Sequence, residues 1–225
     1  MSIAIEHFPI SAPAFDGRSR IVPAGNAFEW LRHGWLIFMV SPWRWMAVAV
    51  LQMIAALALA NVGLIGSVVL CLFAPLLFSG ALRASQKASS SERLDFSDFF
   101  SGVASRRNAM IILGLIMTAS LAGLGVLFGA DLVARLLGLL LVLPLVMCLW
   151  FAPALVLFNH MLPLEALKAS FNACLKNSLS LLVYGLIVML LVFFAALPVG
   201  LGFLVLMPVL SGSAYVSYRD IFVAN

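Results

Sequence analysis

Charge is what this chain has least of. Only 10% of its 225 residues are Asp, Glu, Lys or Arg, while 64% are hydrophobic. A soluble domain runs at about 25% charged and about 45–50% apolar, so an ordinary water-soluble fold is excluded, and so is a chain without a core. Cysteine is scarce as well. Cys71, Cys148 and Cys174 form no CxxC pair, which removes a disulfide framework and a thiolate metal site. His7, His33 and His160 have no metal-ligand spacing with another His, Cys or carboxylate. No GxSxG, HExxH or glycine-rich phosphate loop is found. The sequence therefore offers no catalytic residue, no cofactor and no metal site.

What it has is long apolar runs. Mean hydropathy is +1.14, and six stretches stand out, residues 43–60, 62–82, 108–128, 136–158, 178–197 and 199–218. About 20 apolar residues cross the hydrocarbon core of a bilayer. No ionisable side chain lies inside five of these stretches, and the first has only Arg44 at its edge. Buried charges mark ion pathways and proton relays in membranes, so ion-coupled transport is disfavoured. The polar groups inside, Gln52, Ser67, Ser79, Thr118, Ser120 and Tyr184, are expected to bond to their own helix or a neighbour.

The connections alternate. Asn61, residues 129–135 and Pro198 are short, whereas residues 83–107 and 159–177 are longer and charged. Six spans in three hairpins follow. Twelve basic residues lie in the N-terminal part through Arg44, the two long connections and the C-terminus, and Arg135 alone lies on the other side. Loops rich in Lys and Arg are cytoplasmic, which places both termini in the cytoplasm. Residues 1–25 are polar without a sustained apolar run, and are expected to be a mobile cytoplasmic tail. Residues 26–225 then form one transmembrane domain.

Each hairpin is preceded by a short segment of helical period. In 27–40, Phe28, Leu31, Trp35 and Phe38 oppose Glu29, Arg32 and His33; in 164–176, Leu164, Leu167, Phe171 and Leu175 oppose Glu165, Lys168, Asn172 and Lys176; in 95–105, Phe96, Phe99, Phe100 and Val103 oppose Asp95, Asp98 and Ser105. Too short to span, these segments are expected in the cytoplasmic interface with the apolar face in lipid. The fold class is thus all-α: a polytopic transmembrane bundle of six spans, each hairpin preceded by an interfacial amphipathic helix. The units, about 26–83, 95–160 and 163–222, read as an internal repeat, since Glu29/Arg32 recurs as Glu165/Lys168, and Ala74-Pro75 as Ala152-Pro153, with Met207-Pro208 in the third. All three units insert the same way, unlike the inverted repeats of many transporters.

Pro75, Pro153 and Pro208 are candidate helix kinks. Trp30, Trp35, Trp43 and Trp45, with Arg32 and Arg44 interleaved, and the terminal Tyr215, Tyr218 and Arg219, read as interfacial anchors. An aromatic belt explains the tryptophans better than stacking on nucleic acid. The basic face calls for anionic lipid, with a membrane-protein partner as a further candidate. Gly125 and Gly129 form a GxxxG that leaves both intramolecular packing and a homo-oligomer open.

Val22-Pro23-Ala24-Gly25, Trp30-Leu31, Gly34-Trp35, Pro42 and the terminal Ser217-Tyr218-Arg219-Asp220-Ile221-Phe222 resemble an uncharacterised family of proteobacterial inner-membrane proteins, in which a short polar tail leads into about six spans. The resemblance implies a bacterial plasma-membrane location and carries over no activity. The leading expectation is a non-enzymatic scaffold or accessory protein meeting lipid or partner proteins at the cytoplasmic face. Its rivals are a transporter or channel for lipid or an uncharged substrate, lined by the kinked helices, and an enzyme acting on lipid head groups through Glu29, His33, His160 and Glu165.

Overall fold

The computed structural model describes residues 19–90, 92, 94–99, 106–198 and 200–223. Among these, eight helices and no strand are found. They are α1 (Asn26–Val40), α2 (Pro42–Ala60), α3 (Leu64–Ser89), α4 (Arg107–Gly129), α5 (Leu132–Phe158), α6 (Pro163–Lys176), α7 (Ser178–Ala196) and α8 (Phe203–Phe222). Local signals account for several boundaries. Pro42 and Pro163 stand at helix starts, where their missing N–H is no loss. The carboxylate of Asp131 caps α5 by accepting from Ala134 N–H at 2.9 Å. Gly63, at φ 66°, makes the left-handed step between α2 and α3 that a side chain would resist.

Five helices, α2, α3, α4, α5 and α7, are long and apolar enough to cross a membrane, with mean hydropathy from 1.6 to 2.7. Six helices of that apolar character were expected, and five are found among the described residues. The sixth stretch folds as α8, but Ser211, Ser213, Ser217, Tyr215, Tyr218, Arg219 and Asp220 dilute its apolar character. The physical reason lies in its surroundings. α8 is the central post of the bundle, packed by α1 most extensively and also by α2, α3, α5 and α7. A helix surrounded by protein can carry polar side chains that a lipid-facing helix cannot.

The two ends of the described chain meet. Arg20 N–H donates to the Ile221 carbonyl at 2.9 Å. Residues 19–25, expected as the end of a mobile tail, are therefore tied to the bundle; the rest of that expectation, residues 1–18, lies outside the described residues. Of the amphipathic segment expected over 95–105, only 95–99 is described; there Phe99 is buried and packs edge-on to Trp45 at 4.8 Å.

Helix α1 has three faces rather than two. Trp30, Gly34, Ile37 and Phe38 are buried, chiefly against α8; Phe28, Trp35 and Met39 are exposed apolar side chains; Glu29 and Arg32 form the polar edge. Helix α6 repeats the arrangement with Ala166, Ser170, Ala173 and Cys174 buried against α5, and Leu164 and Leu175 exposed. Small residues on the inner face let the backbones approach. A Cβ on Gly34 would lie 2.5 Å from the Val209 carbonyl oxygen, and one on Gly212 would lie 3.0 Å from Gly34 Cα. The Gly80 Cα faces the Phe99 carbonyl in the same way.

Four hydroxyls within the spanning helices are satisfied locally, whereas the buried indole N–H groups of Trp45 and Trp150 have no hydrogen-bond partner among the described residues. Ser67, Ser79, Thr118 and Ser120 donate to carbonyls three or four residues back, at 2.6–3.1 Å, as burial of a hydroxyl requires. The GxxxG glycines have a different setting from Gly34: a Cβ on Gly125 or Gly129 would meet nothing within 4 Å, so this motif mediates no contact within the described chain.

Candidate functional site at the charged end

The Asp220 carboxylate gathers three donors. Asn26 Nδ2 and Trp30 Nε1 donate to Oδ2 at 2.7 and 2.8 Å, and the Arg20 guanidinium pairs with Oδ1 and also donates to the Asp220 carbonyl. Asp220 is buried; a buried carboxylate is tolerable only when paired and hydrogen-bonded. Beside it, Asn177 stitches the strap of residues 19–25 to the α6–α7 junction. Its side chain accepts from Val22 N–H at 2.8 Å and donates to the carbonyls of Arg20 and Ala173, both at 3.0 Å. Ser180 Oγ donates to the Val22 carbonyl at 2.8 Å. The strap, α1, the α6–α7 corner and the end of α8 are thus locked together.

The tryptophans divide. Trp30 and Trp45 are core side chains, about 1% and 2% exposed, whereas Trp35 and Trp43 are 47% and 75% exposed. Trp30 lies edge-on to Tyr184 at 5.8 Å, and Tyr184 exchanges a 2.6 Å hydrogen bond with Ser213 of α8. Tyr215 and Tyr218 are buried rather than at the surface. Tyr218 donates to Asn159 Oδ1 at 2.6 Å and stacks on Phe158 at 5.3 Å. Arg219 lies 5.9 Å from the Tyr215 ring centre.

Pro75, Pro153 and Pro208 are all buried in their helices. Pro208 borders a void of about 20 Å³ shared with Trp45, Gln52, Phe99 and Ser211, about enough for one water molecule. In α5 a neighbouring side chain engages the backbone just before Pro153. Ser170 Oγ of α6 donates to the Met147 carbonyl at 2.7 Å and accepts from Phe151 N–H at 3.0 Å, a side chain inserted into the helical ladder. Pro144, also a candidate for a broken helix on sequence grounds, stands as far from the end of α5 at Phe158 as Pro75 does from Ser89 and Pro208 from Phe222.

The residues required of a headgroup enzyme are placed as follows. Glu29 and His33 sit on α1, with His33 Nδ1 2.8 Å from the Glu29 carbonyl oxygen. His160 is in the α5–α6 corner, where its Nδ1 accepts from Arg106 Nε at 2.8 Å. Glu165 is in the first turn of α6. Among the described residues, no group of three or more His, Cys, Asp or Glu could hold a metal ion.

Sequence reasoning missed Asp220, Asn177 and Ser170. Asp220 stood in plain view inside the terminal Tyr-Arg-Asp run; that run and Trp30, both part of the family resemblance, are joined in space by the 2.8 Å bond. No protein-family model, curated protein or solved structure matches the chain.

Proposed function

We propose that the protein is a non-enzymatic scaffold or accessory component of a bacterial inner membrane, with α8 crossing inside the ring of apolar helices and both termini in the cytoplasm. It meets anionic lipid and membrane-protein partners through α1 and α6. The observation that carries this reading is the pair of outward apolar stripes: Phe28, Trp35 and Met39 on α1, and Leu164 and Leu175 on α6, each beside a basic residue, Arg32 or Lys168, at the polar edge. A helix with such a stripe lies in the plane of a membrane interface, apolar side in the acyl region and cations toward the head groups. The resemblance to proteobacterial inner-membrane proteins supports the location. The matched faces of α1 and α6 support an internal repeat, in which the interfacial helix of one unit packs on the proline-bearing second helix of another.

The test is purification of the full chain in mild detergent with its lipids and proteins identified together, alongside Trp35→Asp/Leu164→Asp and Arg32→Gln/Lys168→Gln. The wild type should carry anionic lipid and discrete protein partners, with the first variant losing partners and the second losing bulk anionic lipid. Unchanged lipid and protein content in both variants would overturn the assignment.

A further inference from the structure

We propose that the corner formed by Phe158, Asn159 and His160 is a specific site for the phosphate of an anionic lipid headgroup. Two guanidinium groups touch it, and a third lies one ring away. Arg83 of α3 lies 5.7 Å from the Phe158 ring centre. Arg219 of α8 lies over Tyr215, whose ring is 5.7 Å from that of Phe158. Arg106, just before α4, donates to His160 Nδ1. Among the described residues, none of the three has a carboxylate within ion-pair distance, whereas Arg20, Arg32, Arg44 and Lys87 each have one. Three like charges around one aromatic corner repel each other, and an anion placed among them relieves that repulsion.

The chemistry favours phosphate. Guanidinium is planar, weakly hydrated and presents paired N–H groups that match two phosphate oxygens. Arg83 spends one donor on a long 3.4 Å bond to Gln86, so its remaining donors are available. Arg83 also borders a cavity of about 290 Å³, lined further by Gln86, Lys87, Ser90, Glu92 and Asp98. Both oxygens of Asp98 engage Lys87, at 2.9 and 3.0 Å. Glu92 is exposed. Arg83 is therefore the cation in that cavity that no carboxylate holds.

The corner is held in a fixed shape. His160 has φ 57°, the left-handed region that glycine usually occupies after a helix, and a conformation of this kind persists only where its surroundings impose it. The three cations come from the ends of α3 and α8 and the start of α4, two of which are long, apolar helices. That puts them at headgroup depth, where basic pockets between helices take acidic lipids. The inference shares with the proposed function only the placing of this end at a membrane surface; its residues are separate from those of α1 and α6.

The experiment uses the purified full chain in neutral detergent, titrated with cardiolipin, phosphatidylglycerol, phosphatidylcholine and inorganic phosphate, read by native mass spectrometry and by thermal stabilisation. Cardiolipin should bind in preference to phosphatidylcholine, and binding should weaken about fivefold for each of Arg83→Gln, Arg106→Gln and Arg219→Gln, about a hundredfold for all three. If the triple variant does not fold, Arg83→Lys/Arg219→Lys keeps the charge and should still lose part of the affinity. Unchanged affinity in the folded arginine variants overturns the site. Stabilisation by inorganic phosphate equal to that by cardiolipin overturns the lipid as its source. Loss of tight binding in Arg32→Gln/Lys168→Gln, with the arginine variants unaffected, overturns this inference while leaving the role of α1 and α6 standing.

Discussion

Ser170 occupies on α6 the place that Gly34 occupies on α1. Counted from Glu165 and Glu29, each is the fifth residue onward, and each touches the backbone of the helix below at two points one turn apart: Met147 and Phe151 for Ser170, Val209 and Ser213 for Gly34. The flanking positions agree as well, with Ala166, Ala173 and Cys174 buried where Trp30, Ile37 and Phe38 are buried. One solution fills the contact with nothing, the other with a hydroxyl that bonds both ways.

The two sites should respond to substitution for different reasons, one by crowding and the other by loss of a bridge. Gly34→Ala drives a methyl group against the Val209 carbonyl and should destabilise by about 1–3 kcal/mol. Ser170→Ala removes the bridge but adds no volume, and should cost about 1 kcal/mol. Unfolding midpoints in mixed micelles would measure both. A neutral Gly34→Ala would contradict the close approach.

The Asp220 lock yields a coupling measurement. Asp220→Ala leaves Trp30 Nε1 buried without its acceptor and frees Asn26 and Arg20, a loss of about 2–3 kcal/mol. In a double-mutant cycle with Trp30→Phe, the pair should show at least about 0.5 kcal/mol of interaction. Additive costs would mean that the bond does not hold the strap.

Cys174 carries a pH prediction. It is buried, donates to the Met147 carbonyl at 3.4 Å, and burial pushes its thiol up to about 12. In a Cys71→Ala/Cys148→Ala background, maleimide labelling at pH 8 should be about a thousandfold slower folded than denatured, because thiolate is the reactive form. The unfolded thiol ionises near pH 8.5–9, lower than the folded one, so the contribution of this group is intact below about pH 8.5. It declines by up to about 1.4 kcal/mol per pH unit from there toward 12. Rapid labelling of the folded chain would show that α6 does not seal against α5.

Hydropathy and breaker residues made most of the helices legible. The expected stretch 108–128 is α4 within a residue at each end, and 178–197 is α7 within one residue. The bulky stripe of α1 was legible too, since Phe28 and Trp35 carry strong signals. Its inner face was not. Gly34 contributes almost nothing to a hydropathy pattern, and its role depends on Val209 and Ser213, far along the chain. Trp30 and Trp35 look alike in sequence; what separates them is an acceptor, Asp220, 190 residues away from Trp30. For the same reason α8 read as a span like the other five: apolar runs do not record whether protein or lipid surrounds them.

The placement of the charged end can be measured directly. Reporters active only outside the cytoplasm would be fused, one at a time, before Arg20, in the turn at Asp131, and after Val223. With the strap bound to the end of α8 and basic residues concentrated beside them, the reporter at Asp131 should be active and both terminal fusions silent. Activity at either terminus, or silence at Asp131, would contradict the account.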